Sequence, residues 1–104
     1  MTSTLFACYS HPADPEAFDR HYDEIHTQLG LALPGLRSFT GTKPGPGADG
    51  VPAPYYFIAV LTFDDDEALA SALAGADGAA AAADLSTFAG AGVALMTGPT
   101  LTYS

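Results

Sequence analysis

Tyr55-Tyr-Phe-Ile-Ala-Val-Leu-Thr-Phe63 is the stretch on which the fold turns. Aromatic and β-branched residues favour an extended strand, and nine residues are too few for a lone buried helix. Side chains alternate along a strand, so Tyr55, Phe57, Ala59, Leu61 and Phe63 share one face, and Tyr56, Ile58, Val60 and Thr62 share the other. Both faces are apolar. An antiparallel sheet with helices on one side ordinarily turns polar residues outward on the other, so a second apolar face calls for a second cover. Read as a single domain over 1–104, the chain has material for one core and none left for that cover. A second copy is the economical answer, and the expected partner is a homodimer formed through the sheet face.

Upstream of this strand, Gly41 to Pro54 carries four glycines and four prolines and reads as a long irregular connection. Before it, Leu36 to Thr42 is a strand with soft alternation. Further back, Asp14-Pro15-Glu16 has the form of a helix start, with Asp14 as N-cap and Pro15 where a missing N–H costs nothing. Phe18, Tyr22, Ile25 and Leu29 then recur at helical spacing as one apolar stripe, and Pro34-Gly35 ends the helix. Leu5 to Tyr9 is a short strand closed by Pro12. Downstream, Asp64-Asp-Asp-Glu67 caps a second helix through Leu69 and Leu73, which breaks near Gly75 and Gly78 and resumes over Ala79 to Phe88. Val93 to Thr97 and Leu101 to Tyr103 make a last strand interrupted by Gly98-Pro99. The order is β-α-β-β-α-β, an α+β, ferredoxin-like antiparallel sheet with both helices on one face.

Bulk composition narrows the function. Hydrophobic residues make up 48% of the chain and charged residues 14%, with slightly positive mean hydropathy. Twelve acidic residues against three basic ones give a formal charge of −9, which repels phosphate backbones and anionic headgroups, so neither nucleic acid nor a membrane surface is an expected partner. No apolar stretch reaches membrane-spanning length and no signal-peptide pattern opens the chain, so a cytoplasmic location is the expectation. Cys8 stands alone, which excludes an internal disulfide and any multi-cysteine metal site; without a basic neighbour in sequence it reads as an inert thiol.

The run Phe18-Asp-Arg-His-Tyr22-Asp-Glu-Ile-His26-Thr-Gln-Leu29 followed by Leu33-Pro-Gly-Leu36 resembles the EthD family of the dimeric α/β-barrel superfamily, and Asp84-Leu-Ser-Thr-Phe88 looks like that family's weaker second block. The resemblance implies two sheets packed face to face in a dimer, with a pocket between sheet and helices in each subunit. It implies roles in ether degradation beside a cytochrome P450 or in polyketide tailoring, a part of secondary metabolism. His21, where an aromatic is common, and the proline-rich loop depart from the usual pattern.

Among residues able to carry chemistry, His26 leads, because imidazole alone has an unperturbed pKa near neutrality. An ideal helix puts it about 70–80° from the centre of the apolar stripe, where it can graze a cavity or instead bond a buried backbone carbonyl. Tyr22 lies one turn earlier and can orient a substrate oxygen. Phe18, Tyr9 and Phe88 are candidate pocket walls, with plain core packing as the alternative for each. His21, about 140° around an ideal helix from His26, reads as a helix-edge residue unable to share a metal with it, so no metal is expected. Arg37 suits a structural ion pair, and the glycine-rich loop lacks the lysine and serine or threonine ending of a phosphate cradle. The expectation is a cofactor-free enzyme with His26 as general acid/base in dehydration, isomerisation or cyclisation of an apolar aromatic or polyketide-like molecule. The alternatives are a non-catalytic binding or accessory protein for a hydrophobic metabolite, and a cofactor-free monooxygenase or haem binder of a related dimeric barrel.

Overall fold

A computed structural model describes residues 1–104 and shows the α+β sandwich that the element order implies. The strands are β1 (Ser3–Tyr9), β2 (Leu36–Thr42), β3 (Phe57–Phe63) and β4 (Val93–Pro99). They form one antiparallel sheet in the order β2-β3-β1-β4. The helices are α1 (Pro15–His21), a π turn (Tyr22–His26), α2 (Thr27–Leu31), α3 (Asp66–Ala74) and α4 (Ala76–Phe88). No helix is long and apolar enough to cross a membrane.

Local chemistry sets the boundaries. Asp14 caps α1 by accepting from Ala17 N at 3.1 Å, and Pro15 opens the helix. Asp65 caps α3 by accepting from Ala68 N at 2.8 Å. The helix bend falls at Gly75 alone, and α4 runs on through Gly78 rather than restarting at Ala79. Gly78 is buried where a Cβ would collide with the carbonyls of Ala72 and Leu73, so its missing side chain lets α4 cross the end of α3. The soft alternation of β2 is explained by a register shift between Leu36 and Ser38.

One face of the sheet packs on the helices. Leu5, Ala7 and Tyr9 from β1 and Ala59, Leu61 and Phe63 from β3 join Phe18, Tyr22, Leu33, Leu69 and Ala72 in the core. The opposite face presents Phe6, Ile58, Val60 and Met96, with no helix over it; Phe6 is 40% and Met96 50% exposed. This settles which parity of β3 faces inward.

Three local expectations are corrected. β3 begins at Phe57, so Tyr55 and Tyr56 lie outside the alternation; Tyr56 instead packs edge-on to Phe18 and donates its hydroxyl to Asp19 at 2.9 Å. β4 runs through Gly98 to Pro99, and Leu101–Tyr103 lies outside it; as an edge strand β4 tolerates a proline that an inner strand would not. Ile25 is 46% exposed, whereas His26 is buried at 7%. The π turn is the cause: Thr27 N–H reaches back five residues to Tyr22 O, and the Thr27 hydroxyl takes the Asp23 carbonyl that an α-helical Thr27 N–H would have used. The extra residue shifts the helix phase, so the inward row is Phe18, Tyr22, His26 and Gly30.

Candidate active site around His26 and Asp84

The phase shift delivers His26 to the wall of a cavity of about 190 Å³ between sheet and helices. Leu5, Ala7, Ala59 and Leu61 floor it, and Tyr22 and His26 stand on one side. The opposite wall comes from α4, whose Gly78, Ala81 and Ala82 are too small to fill the space that a leucine or phenylalanine would occupy. Leu73 and Leu95 line it while 39% and 53% exposed, and so mark its mouth.

Behind His26 lies Asp84 of α4, which composition and spacing do not single out. Its carboxylate accepts from His26 Nδ1–H at 2.9 Å and from His21 Nε2–H at 2.8 and 3.0 Å. The two histidines thus converge on one carboxylate, which overturns the 140° separation of an ideal helix. Within a π turn, five residues complete little more than one revolution, so positions 21 and 26 point the same way. His21 also stacks on Phe88, with centroids 5.0 Å apart, and His26 packs tilted against the same ring at 4.8 Å. The clue to Asp84 in the sequence is slight: it is the one acidic residue in the alanine-rich run 79–88, inside the block quoted above.

Electrostatics follow from this burial. Burial opposes the charged form of His26 and holds its pKa below the ordinary value of 6.5, although the bond and charge of Asp84 pull the other way. Burial also raises the Asp84 carboxyl, but the bonds from His26 and His21 outweigh it and keep the pKa below the usual 3.8. At neutral pH the arrangement is therefore a carboxylate holding a neutral imidazole by Nδ1–H. Nε2 has no protein partner and is left as an acceptor on the cavity wall. That is the geometry of an oriented general base.

Tyr9 and Tyr22 line the same cavity, and burial pushes both phenols above their ordinary value, so both remain protonated. The Tyr22 hydroxyl is sealed from solvent without a hydrogen-bond partner, and Tyr9 is close enough to influence its ionisation. Phe18 and Phe88 do not reach the cavity. They pack behind it, against Tyr9 and Tyr22, and line a separate groove of about 530 Å³ with His21. Arg37 pairs with Asp64 on the surface at 2.5 Å, and Lys43 with Asp19 at 2.7 Å, both away from the cavity. His11 bonds the Ala53 carbonyl at 2.7 Å, and Cys8 is a buried free thiol.

The family model for the EthD domain matches residues 10–92. A protein of Rhodococcus erythropolis, described as an uncharacterized 11.0 kDa protein in the thcB-thcC intergenic region, is 39% identical over 88 residues, covering 85% of this chain and 84% of its own. The crystal structure of an ethyl tert-butyl ether d (EthD) family protein from Bacillus halodurans superposes with a TM-score of 0.90 at 34% identity, covering 97% of this chain and all of the other. A dimeric ferredoxin-like protein of unknown function from Thermobifida fusca shares the fold with a TM-score of 0.72 at 17% identity, over 96% and 92% of the two chains. A family match over most of the chain, joined to a relative of the same family that superposes from end to end, makes this protein a member of the EthD family.

Proposed function

We propose that the protein is a cofactor-free small-molecule enzyme in which His26, held by Asp84, moves a proton on a small apolar aromatic compound in the cavity, in dehydration, isomerisation or cyclisation. One observation carries the reading: His26 Nδ1–H is fixed on a half-buried carboxylate, while Nε2 has no protein partner and the ring lines an apolar wall. Abstraction breaks a bond to hydrogen on the substrate and forms N–H at Nε2, and Asp84 stabilises the imidazolium that results. The cavity supports this use, because protein interiors are ordinarily packed with few voids larger than a water molecule, and this one stays unfilled beside His26. It has no room for a tetrapyrrole, which weighs against a haem role.

The assembly proposed is a homodimer closed through the outer sheet face. Phe6, Ile58, Val60 and Met96 form an uncovered apolar patch there, and a symmetric partner covers each copy with the same patch of the other.

A panel of substituted aromatic compounds incubated with the protein tests the catalytic reading. Turnover of at least one compound is expected, with His26→Gln lowering its rate by about 10²–10⁴-fold and leaving its binding largely intact. If compounds bind but none is transformed, the protein is a binding or accessory protein for a hydrophobic metabolite.

A further inference from the structure

The lining of the cavity also restricts what can occupy it, given that the cavity around His26 is the substrate site. A cavity of 190 Å³ is slightly larger than the roughly 150 Å³ that accepts a single benzene ring. One ring with one small substituent fits, whereas a fused-ring system would extend past Leu73 and Leu95 at the mouth. The walls that meet it are the rings of Tyr9, Tyr22 and Phe39 and the methyls of leucine and alanine, with Thr97 at the exposed rim, and they suit an aromatic edge or face.

Charge is the second restriction. None of Arg20, Arg37 and Lys43 lines the cavity, and Arg37 and Lys43 are each bound to a surface carboxylate. Asp84 adds a negative charge behind His26, so an anionic ligand would be buried without a counter-ion. Polarity at the one free nitrogen is the third. Since Nδ1–H is committed to Asp84, Nε2 accepts and does not donate, so the ligand group against it must be a donor: a hydroxyl suits, and an ether or carbonyl oxygen does not.

The geometry points to a neutral single-ring phenol as the ligand class of this cavity, with the phenolic O–H donating to His26 Nε2 and the ring held between Tyr9, Tyr22 and Phe39. It disfavours carboxylates by charge, aryl ethers at His26 by the direction of the hydrogen bond, and fused rings by size. When the proton transfers, the O–H bond breaks, its electron pair stays on the phenolate oxygen, and N–H forms at Nε2 beside Asp84.

Isothermal titration of the intact protein with p-cresol, toluene, 4-methylanisole, benzoate and 1-naphthol tests this. p-Cresol is expected to bind roughly tenfold more tightly than toluene or 4-methylanisole, about the worth of one buried hydrogen bond. Benzoate is expected to bind roughly a hundredfold more weakly than p-cresol or not at all. 1-Naphthol should bind more weakly than p-cresol despite its larger apolar surface. In His26→Leu the advantage of p-cresol over toluene should vanish while toluene still binds. Should that variant fail to fold, judged by its thermal melt, the wild-type ranking decides alone. Equal affinity for p-cresol and toluene overturns the proposal, as does preference for benzoate, 4-methylanisole or 1-naphthol. Selective p-cresol binding with no chemistry on any phenol upholds the ligand class and removes the acid/base role, so the two readings fail separately.

Discussion

Replacing Asp84 by asparagine is expected to lower turnover by about 10²–10³-fold while leaving the fold and ligand binding in place. Asparagine has nearly the same shape, so its amide oxygen can still accept one imidazole N–H. What it removes is charge. Without the carboxylate, the imidazolium formed when His26 takes a proton loses its stabilising partner, and His26 becomes a weaker base, because Asp84 supplies the bond and charge that partly offset burial. In the same substitution the oxygen that His21 meets at 2.8 Å gives way to an amide nitrogen that cannot accept, which leaves His21 only its longer contact with the oxygen that also serves His26. The measurement is the rate on whichever aromatic compound the wild type transforms, beside its dissociation constant. Wild-type rate in Asp84→Asn would show that the carboxylate is only structural.

The second large effect concerns the sheet. Val60 lies on the central strand β3 opposite Phe6, in the middle of the uncovered face. Val60→Glu is expected to weaken self-association at least on the order of 10³-fold, since a two-fold axis buries the new charge twice and an unpaired buried charge costs about 3–5 kcal/mol. Sedimentation at micromolar concentration should show a dimer for the wild type and a folded monomer for the variant. A wild-type monomer would remove the proposed assembly.

Much of this architecture is visible in the sequence, for identifiable reasons. β1, β2 and the entry to α1 are marked by residues that act locally: the short apolar run, the Asp14-Pro15 cap, the Pro34-Gly35 stop. His26 stands out by chemistry alone. Its burial does not, because the ideal 3.6-residue period puts Ile25 on the inner face, and nothing in Tyr-Asp-Glu-Ile-His announces the π turn that exchanges the two. Asp84 is hidden for a different reason. It sits in a run of alanines without hydrophobic period, and its partners lie 58 and 63 residues away, a separation no local pattern encodes. The cavity is legible only afterwards, as the consequence of setting small side chains on α4 against β1 and β3.

Acid should act on the site in two stages. The unfolded chain binds a proton on His26 near its ordinary 6.5, whereas the folded chain binds it only at lower pH, so that stabilisation is complete above 6.5 and is lost as pH falls toward the depressed folded value. Asp84, also depressed, contributes stability above 3.8 that disappears at still lower pH.

The most direct examination is a ¹⁵N-detected NMR titration of the histidine side chains in the wild-type protein. His26 should be neutral at pH 7, with its proton on Nδ1 and an unprotonated Nε2, and should titrate below 6.5. A proton on Nε2 would mean that Asp84 does not hold His26 as a base facing the cavity, and a midpoint above 6.5 would mean that the pull of Asp84 outweighs burial, so that the ring is not kept in its neutral form.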